Sequence, residues 1–215
     1  MERFRVSYRK DGALRYISHL DMQKMWIRTL LRAKIPLYYT QGYHPIPKIG
    51  VSWPLALGWA GYNELIDLWL DYPENAVPGK DELKNLMNAN SPEGLKIERV
   101  ESIALTAKAI TAAVQSADYR LLFRQPQSSE GLQAQADHLM QADKIEFTRR
   151  ERSFDMRPLI ESITVNPEAE ENHEPALEMR MAAREGAMGR PDEAATVMGF
   201  DIFEIQFIRL KYNLV

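Results

Sequence analysis

The 215-residue chain contains no cysteine. That absence excludes disulfides, a thiolate nucleophile, cysteine-based zinc sites and a thiolate-ligated iron–sulfur cluster. Histidine is scarce too. His19, His44, His138 and His173 are scattered, with no His-x-x-x-His or His-Glu-x-x-His spacing, so no local metal motif is present. Neither a Gly-x-x-x-x-Gly-Lys phosphate loop nor a dinucleotide fingerprint occurs, and no cofactor is expected. No stretch approaches the roughly 18 uninterrupted apolar residues of a membrane span. The N-terminus opens directly on an alternating strand pattern, so no secretory signal is expected and a cytoplasmic location follows. What remains is ordinary for a globular protein, 45% hydrophobic and 27% charged. The length allows one large domain or two of about 100 residues each.

The net charge of −3 conceals an asymmetry. Residues 1–60 hold ten basic side chains (Arg3, Arg5, Arg9, Lys10, Arg15, Lys24, Arg28, Arg32, Lys34, Lys48) against Glu2, Asp11 and Asp21, or +7. The other 155 residues therefore carry −10. All four tryptophans lie between Trp26 and Trp69. A basic segment rich in aromatics suggests a face for a polyanion with rings available for stacking. The plainer alternative is solvated charges around core tryptophans.

Polar and apolar residues alternate from Arg3 to Arg9, predicting a half-buried strand. Ser18 can cap a helix running to about Lys34, with Asp21 at its positive end. Leu20, Met25, Ile27, Leu30 and Leu31 form its apolar side, while Lys24, Arg28 and Arg32 recur every four residues as one basic stripe. Further strands are expected at 37–39, 64–71 and 95–105, and a helix at 78–90. The order is β-α-β-β-α-β, the ferredoxin-like arrangement. Residues 106–116 read as a linker or short helix. A second series follows: strands at 118–124, 144–150, 154–165, 175–183 and 203–210, with helices at 128–141 and 192–198. The expected fold is α+β, two tandem ferredoxin-like domains with antiparallel sheets, spanning 1–108 and 109–215.

Candidate binding residues cluster in three places. The helix stripe offers Lys24, Arg28 and Arg32. The segment 41–50, with two prolines between glycines, must be a defined loop, and it presents His44 and Lys48 beside Tyr39 and Tyr43. Arg149, Arg150, Arg152 and Arg157 form a second basic cluster, either a continuation of a positive track or a charged strand edge that discourages aggregation. His19 and Asp21 sit at the helix start, where they serve either capping or acid/base and phosphate contacts. A metal site assembled from His19, Asp21 and His44 is a further alternative. Met179, Met181, Met188 and Met198 are core filler or an adaptable contact surface.

Tyr16-Ile-Ser-His-Leu-Asp, Tyr39-Thr-Gln-Gly-Tyr-His-Pro-Ile-Pro-Lys-Ile and Trp53-Pro-Leu-Ala-Leu-Gly carry a resemblance. So do Ser153-Phe-Asp-Met-Arg-Pro-Leu-Ile-Glu-Ser-Ile and Phe207-Ile-Arg-Leu-Lys-Tyr. Over essentially its whole length the chain resembles the radical SAM-linked protein family, a bacterial domain of unknown function. Members are encoded beside, or fused to, radical SAM proteins with a predicted cobalamin-binding domain. The resemblance implies a radical SAM partner, and the missing cysteines place any cluster in that partner. The topology also resembles tandem ferredoxin-like RNA-binding proteins, among them CRISPR repeat-processing endoribonucleases.

The expected function is a non-catalytic accessory protein that binds RNA, a tRNA or rRNA, and presents it for modification. Two alternatives stand beside it. One is a scaffold that docks on the partner without nucleic acid. The other is a metal-independent endoribonuclease, with His44 as base and Lys48 stabilising charge.

Overall fold

The alternating N-terminal residues form β1 (Glu2–Lys10), whose Phe4, Val6 and Tyr8 point to one side and are buried. The computed structural model describes residues 1–73 and 76–215. It divides into two units, Met1–Ala113 and Val114–Val215.

In the first unit β1 is followed by α1 (His19–Arg32), β2 (Ile49–Val51), β3 (Ala60–Leu70), α2 (Lys80–Ala89), β4 (Leu95–Ile103) and the short α3 (Ile110–Ala113). β1 lies between β3 and β4, and β2 adds to the outer side of β3, giving the antiparallel order β4-β1-β3-β2. Both long helices cover the same sheet face. Met22, Trp26 and Leu30 of α1 and Leu83 and Met87 of α2 pack on Phe4, Val6, Ile66, Leu68 and Ile97. Each such side chain contributes on the order of 1.5–3 kcal/mol on burial.

The opposite face of this sheet carries charge, yet it is not solvated. Arg3 and Arg5 alternate with the core residues of β1 and converge on Asp67 of β3. Arg3 also donates to the carbonyls of Ala107 and Lys108, which ties the segment after β4 across that face. Arg3 and Asp67 are 3% and 1% exposed, so this cluster is interior. Two of the ten N-terminal cations are thus consumed by the fold.

The second unit runs β5 (Val114–Phe123), α4 (Ser129–Gln141), β6 (Glu146–Arg149), β7 (Arg152–Asp155), β8 (Ile160–Asn166), β9 (Ala176–Arg184), β10 (Ala187–Met188), α5 (Pro191–Val197) and β11 (Ile205–Leu214). Its sheet has the antiparallel order β11-β5-β9-β8, with β10 continuing beside the end of β9. α4 packs on β8 and β9. β6 and β7 form a separate two-stranded ribbon.

The chain is therefore a mixed α+β protein with antiparallel sheets, as expected. Among the described residues no helix is long and apolar enough to cross a membrane.

Several local expectations need correction. The strand expected at 37–39 is only a pair of isolated bridges, Leu37 to Leu70 and Tyr39 to Pro47. Proline supplies no N–H for a ladder, so pairing stops there. The strand expected across 144–150 ends at Arg149, because Arg150 and Glu151 adopt left-handed backbone (φ 48° and 67°) and turn the chain back into β7. Met179 and Met181, considered as a contact surface, are buried in β9 and are core residues.

Candidate functional site

α1 owes its start to Ser18. The Ser18 hydroxyl accepts from the Asp21 N–H at 3.1 Å and donates to the Asp21 carboxylate at 2.7 Å. That bond, and then Lys24, hold the Asp21 carboxyl below its ordinary range. Asp21 is thus occupied in capping and in an exposed ion pair with Lys24. One side of α1 buries Met22, Trp26, Thr29 and Leu30, leaving Lys24, Arg28 and Arg32 exposed on the other. Successive members of this stripe are about 6 Å apart along the axis, from the rise of 1.5 Å per residue. Arg32 also donates to the Asn90 carbonyl at 2.7 Å, bracing the end of α2.

The proline loop is anchored at its base. Lys48 donates its backbone N–H to Tyr38, Tyr38 donates to Trp69, and Thr40 donates to Ile46. Its tip stands in solvent: Tyr43 is 95% exposed, with the His44 ring edge-on at 4.7 Å between centroids. Tyr39 is exposed beside its bridge to Pro47. Lys48 turns the other way, its ammonium over the Trp69 ring at 4.7 Å and the Tyr38 ring at 5.9 Å. The pairing of His44 with Lys48 that an endoribonuclease would use is not what these contacts describe.

The second basic cluster divides. Arg149 makes a bidentate bond to Glu193 at 2.6 Å, donates to the Met188 carbonyl and lies over Phe154, so it fastens the ribbon to the start of α5. Arg150 and Arg152 stand exposed at the ribbon tip. Among the described residues no group of three His, Asp or Glu side chains is disposed to hold a metal ion, so His19, Asp21 and His44 do not form one.

One polar pocket was not anticipated. Beneath the first turns of α1 a small cavity, about 20 Å³ in volume, is lined by Lys10, His19, Trp26, Ser52, Trp53 and Glu64. Lys10 and Glu64 are each 3% exposed and Ser52 is 4% exposed. Burying two charges requires close polar company. Lys10 follows a β-bulge in β1 and sits opposite Gly61 in the ladder. Glu64 folds back over Gly61, where a Cβ would meet its carboxylate at 2.6 Å. Only glycine leaves room for this arrangement. The signal was present in the sequence: Glu64 shares the parity of Ile66, Leu68 and Leu70, all core-facing residues of β3.

The second unit has a wider groove of about 500 Å³ between the last turn of α4, β6 and the end of α5, lined by Leu139, Ile145, Val197 and Met198 with His138 and Lys144.

Residues 3–191 match a family described as an uncharacterized protein conserved in bacteria (DUF2344). The chain belongs to that family. The DUF2344 match covers α1, the proline loop and the polar pocket, and in the second unit the ribbon with its arginines. No curated protein matches the chain.

Proposed function

We propose that this DUF2344 protein is a non-catalytic RNA-binding accessory module that presents a tRNA or rRNA to a radical SAM partner. The observation that carries the RNA reading is the stripe on α1. Three cations recur at one-turn spacing on the solvent side of a helix whose other side is locked into the core. The Lys24–Asp21 pair is exposed, and such pairs are worth under about 1 kcal/mol, so a phosphate can replace the carboxylate. Tyr43 at the loop tip offers a free ring face for base stacking. Arg150 and Arg152 supply further phosphate contacts in the second unit. The orders β4-β1-β3-β2 and β11-β5-β9-β8, with helices between the strands, support reading the units as tandem ferredoxin-like domains. The radical SAM partner rests on the sequence resemblance.

The test is retention of bulk tRNA at low salt by the intact protein and by Lys24→Glu/Arg28→Glu. These two positions leave the Arg32–Asn90 brace in place. Retention by the parent and at least tenfold weaker retention by an equally stable double variant support the proposal. Equal retention, or none by either, refutes it.

A second reading, docking on a protein without RNA, is favoured by exposed apolar residues about the start of α1. Tyr16, Leu20 and Leu57 are each more than 60% exposed, and the Tyr16 ring lies 3.8 Å from the position a Cβ of Gly58 would take. Co-purification with a radical SAM protein in an RNA-free complex, lost on Leu20→Glu, would select this reading.

A further inference from the structure

The β6–β7 ribbon ends in three consecutive charged residues that the fold does not use. Arg150, Glu151 and Arg152 are all exposed. Among the described residues none of their side chains makes a hydrogen bond or an ion pair, although the acid lies between two guanidiniums. The ribbon that carries them is braced at its base and near its tip. At the base the Asp155 carboxylate accepts the N–H groups of Ile145 at 2.9 Å and Arg157 at 3.0 Å, closing both ends of the ribbon on one acceptor. One residue below the tip, Arg149 grips Glu193. Between these braces the Phe147 and Phe154 rings meet edge-on at 6.2 Å between centroids, and the Thr148 and Ser153 hydroxyls share a hydrogen bond. Arg150 and Glu151 both hold left-handed backbone, which costs free energy that an Asn-Gly turn would not. Such strain persists where a side chain is needed for function.

The geometry points to the ribbon tip as a reader of an unpaired guanine base in an RNA strand, with Glu151 and Arg152 as the specificity-determining residues. This rests on the RNA reading above and refines it. A tip that met phosphates alone would be weakened by a carboxylate between its cations, because like charges repel. A base edge is different, since it offers donors and acceptors side by side. Guanine presents N1–H and the N2 amine as adjacent donors, which one carboxylate accepts together. Its O6 and N7 are adjacent acceptors that match two N–H groups of a guanidinium. Adenine and cytosine each place an acceptor beside the amine, and uracil has no amine, so guanine alone satisfies both groups. The base must be unpaired, because pairing occupies N1–H and the N2 amine. Arg150 is then left for a flanking phosphate.

The test measures binding of the intact protein, by fluorescence anisotropy at low salt, to a short uridine oligoribonucleotide and to the same oligomer with one central guanosine. The guanosine oligomer should bind about tenfold tighter, the worth of one good bidentate pair. Inosine in its place lacks the N2 amine and should lose most of that preference. Glu151→Gly removes the carboxylate and relieves the backbone. It should erase the preference without weakening the uridine oligomer, an outcome that loss of a phosphate contact would not give. Lys24→Glu/Arg28→Glu should weaken both oligomers and leave their ratio unchanged. Equal binding of the two oligomers by the parent overturns the guanine assignment and leaves the RNA reading standing. So does a Glu151→Gly protein that keeps the parent's preference. Binding of neither oligomer overturns both.

Discussion

At the scale of single residues the fold depends on a few buried charges. Asp67 accepts from Arg5 at 2.8 and 3.0 Å and from Arg3 at 2.5 Å, all on the face opposite the helices. Removing one member of a buried pair leaves the other charge uncompensated, which costs about 3–5 kcal/mol. Asp67→Ala should therefore lower the unfolding free energy by about that amount in urea titration, and a loss below about 1 kcal/mol would contradict the role given to this cluster. Asp118 illustrates the same balance nearer the surface. Burial pushes its carboxyl up, but bonds from Arg180 and Asn213 and the nearby Lys211 outweigh burial and hold it below the ordinary carboxylate range. A depressed carboxylate stabilises above its ordinary value, and the contribution is lost as pH falls through the folded value. The stability gap between the parent and Asp118→Asn should be open at pH 7 and narrow steadily below pH 4; a gap independent of pH would contradict this. These clusters were only partly legible in the sequence. Arg3 and Arg5 read as solvent-facing cations because alternation reveals two faces of a strand but not what covers the second. Lys10 and Glu64 were overlooked because a charge on an apolar face gains meaning only when its partner strand and the bulge are known.

Among the elements, those with local signals were found most accurately. Ser18 and Ser128 both cap helices as side-chain acceptors, and α1 and α4 begin directly after them. Ser18→Ala should destabilise by about 1 kcal/mol, the usual worth of an N-cap; no change would mean Asp21 alone sustains the helix start. The β6–β7 turn was missed for a physical reason. Two consecutive left-handed residues favour Asn-Gly, and Arg150-Glu151 carries no such signature. Arg150→Asn with Glu151→Gly should raise stability by about 1 kcal/mol, measured by thermal unfolding, while removing one of the proposed RNA contacts. A destabilised double variant would show that Arg150 has a structural bond of its own. β2 was hidden inside the proline loop, since three residues are too few to show a period. Its pairing with Ile66–Leu68 is determined by β3, not by its own sequence.

For the whole molecule, the charge asymmetry legible in the sequence changes meaning once the fold is known. The excess of +7 in residues 1–60 includes Arg3, Arg5 and Lys10, which are buried or tied to Asp67. The exposed remainder includes α1, where Lys24, Arg28 and Arg32 stand clear of the core. The proposed function rests on that narrower surface. Its aromatic complement also narrows: Trp26 belongs to the core and Trp69 is already stacked by Arg3 and Lys48, while Tyr16, Tyr39 and above all Tyr43 remain exposed. Binding carried by phosphate contacts releases counterions, so log affinity falls linearly with log salt, with a slope of about −0.7 per contact on single strands. The decisive measurement is that slope for tRNA, compared between the parent protein and Lys24→Gln/Arg28→Gln. Loss of two contacts should reduce its magnitude by about 1.4 and weaken binding across unrelated RNA sequences alike. Parent and variant slopes that coincide, or an affinity indifferent to salt, would contradict RNA binding through α1.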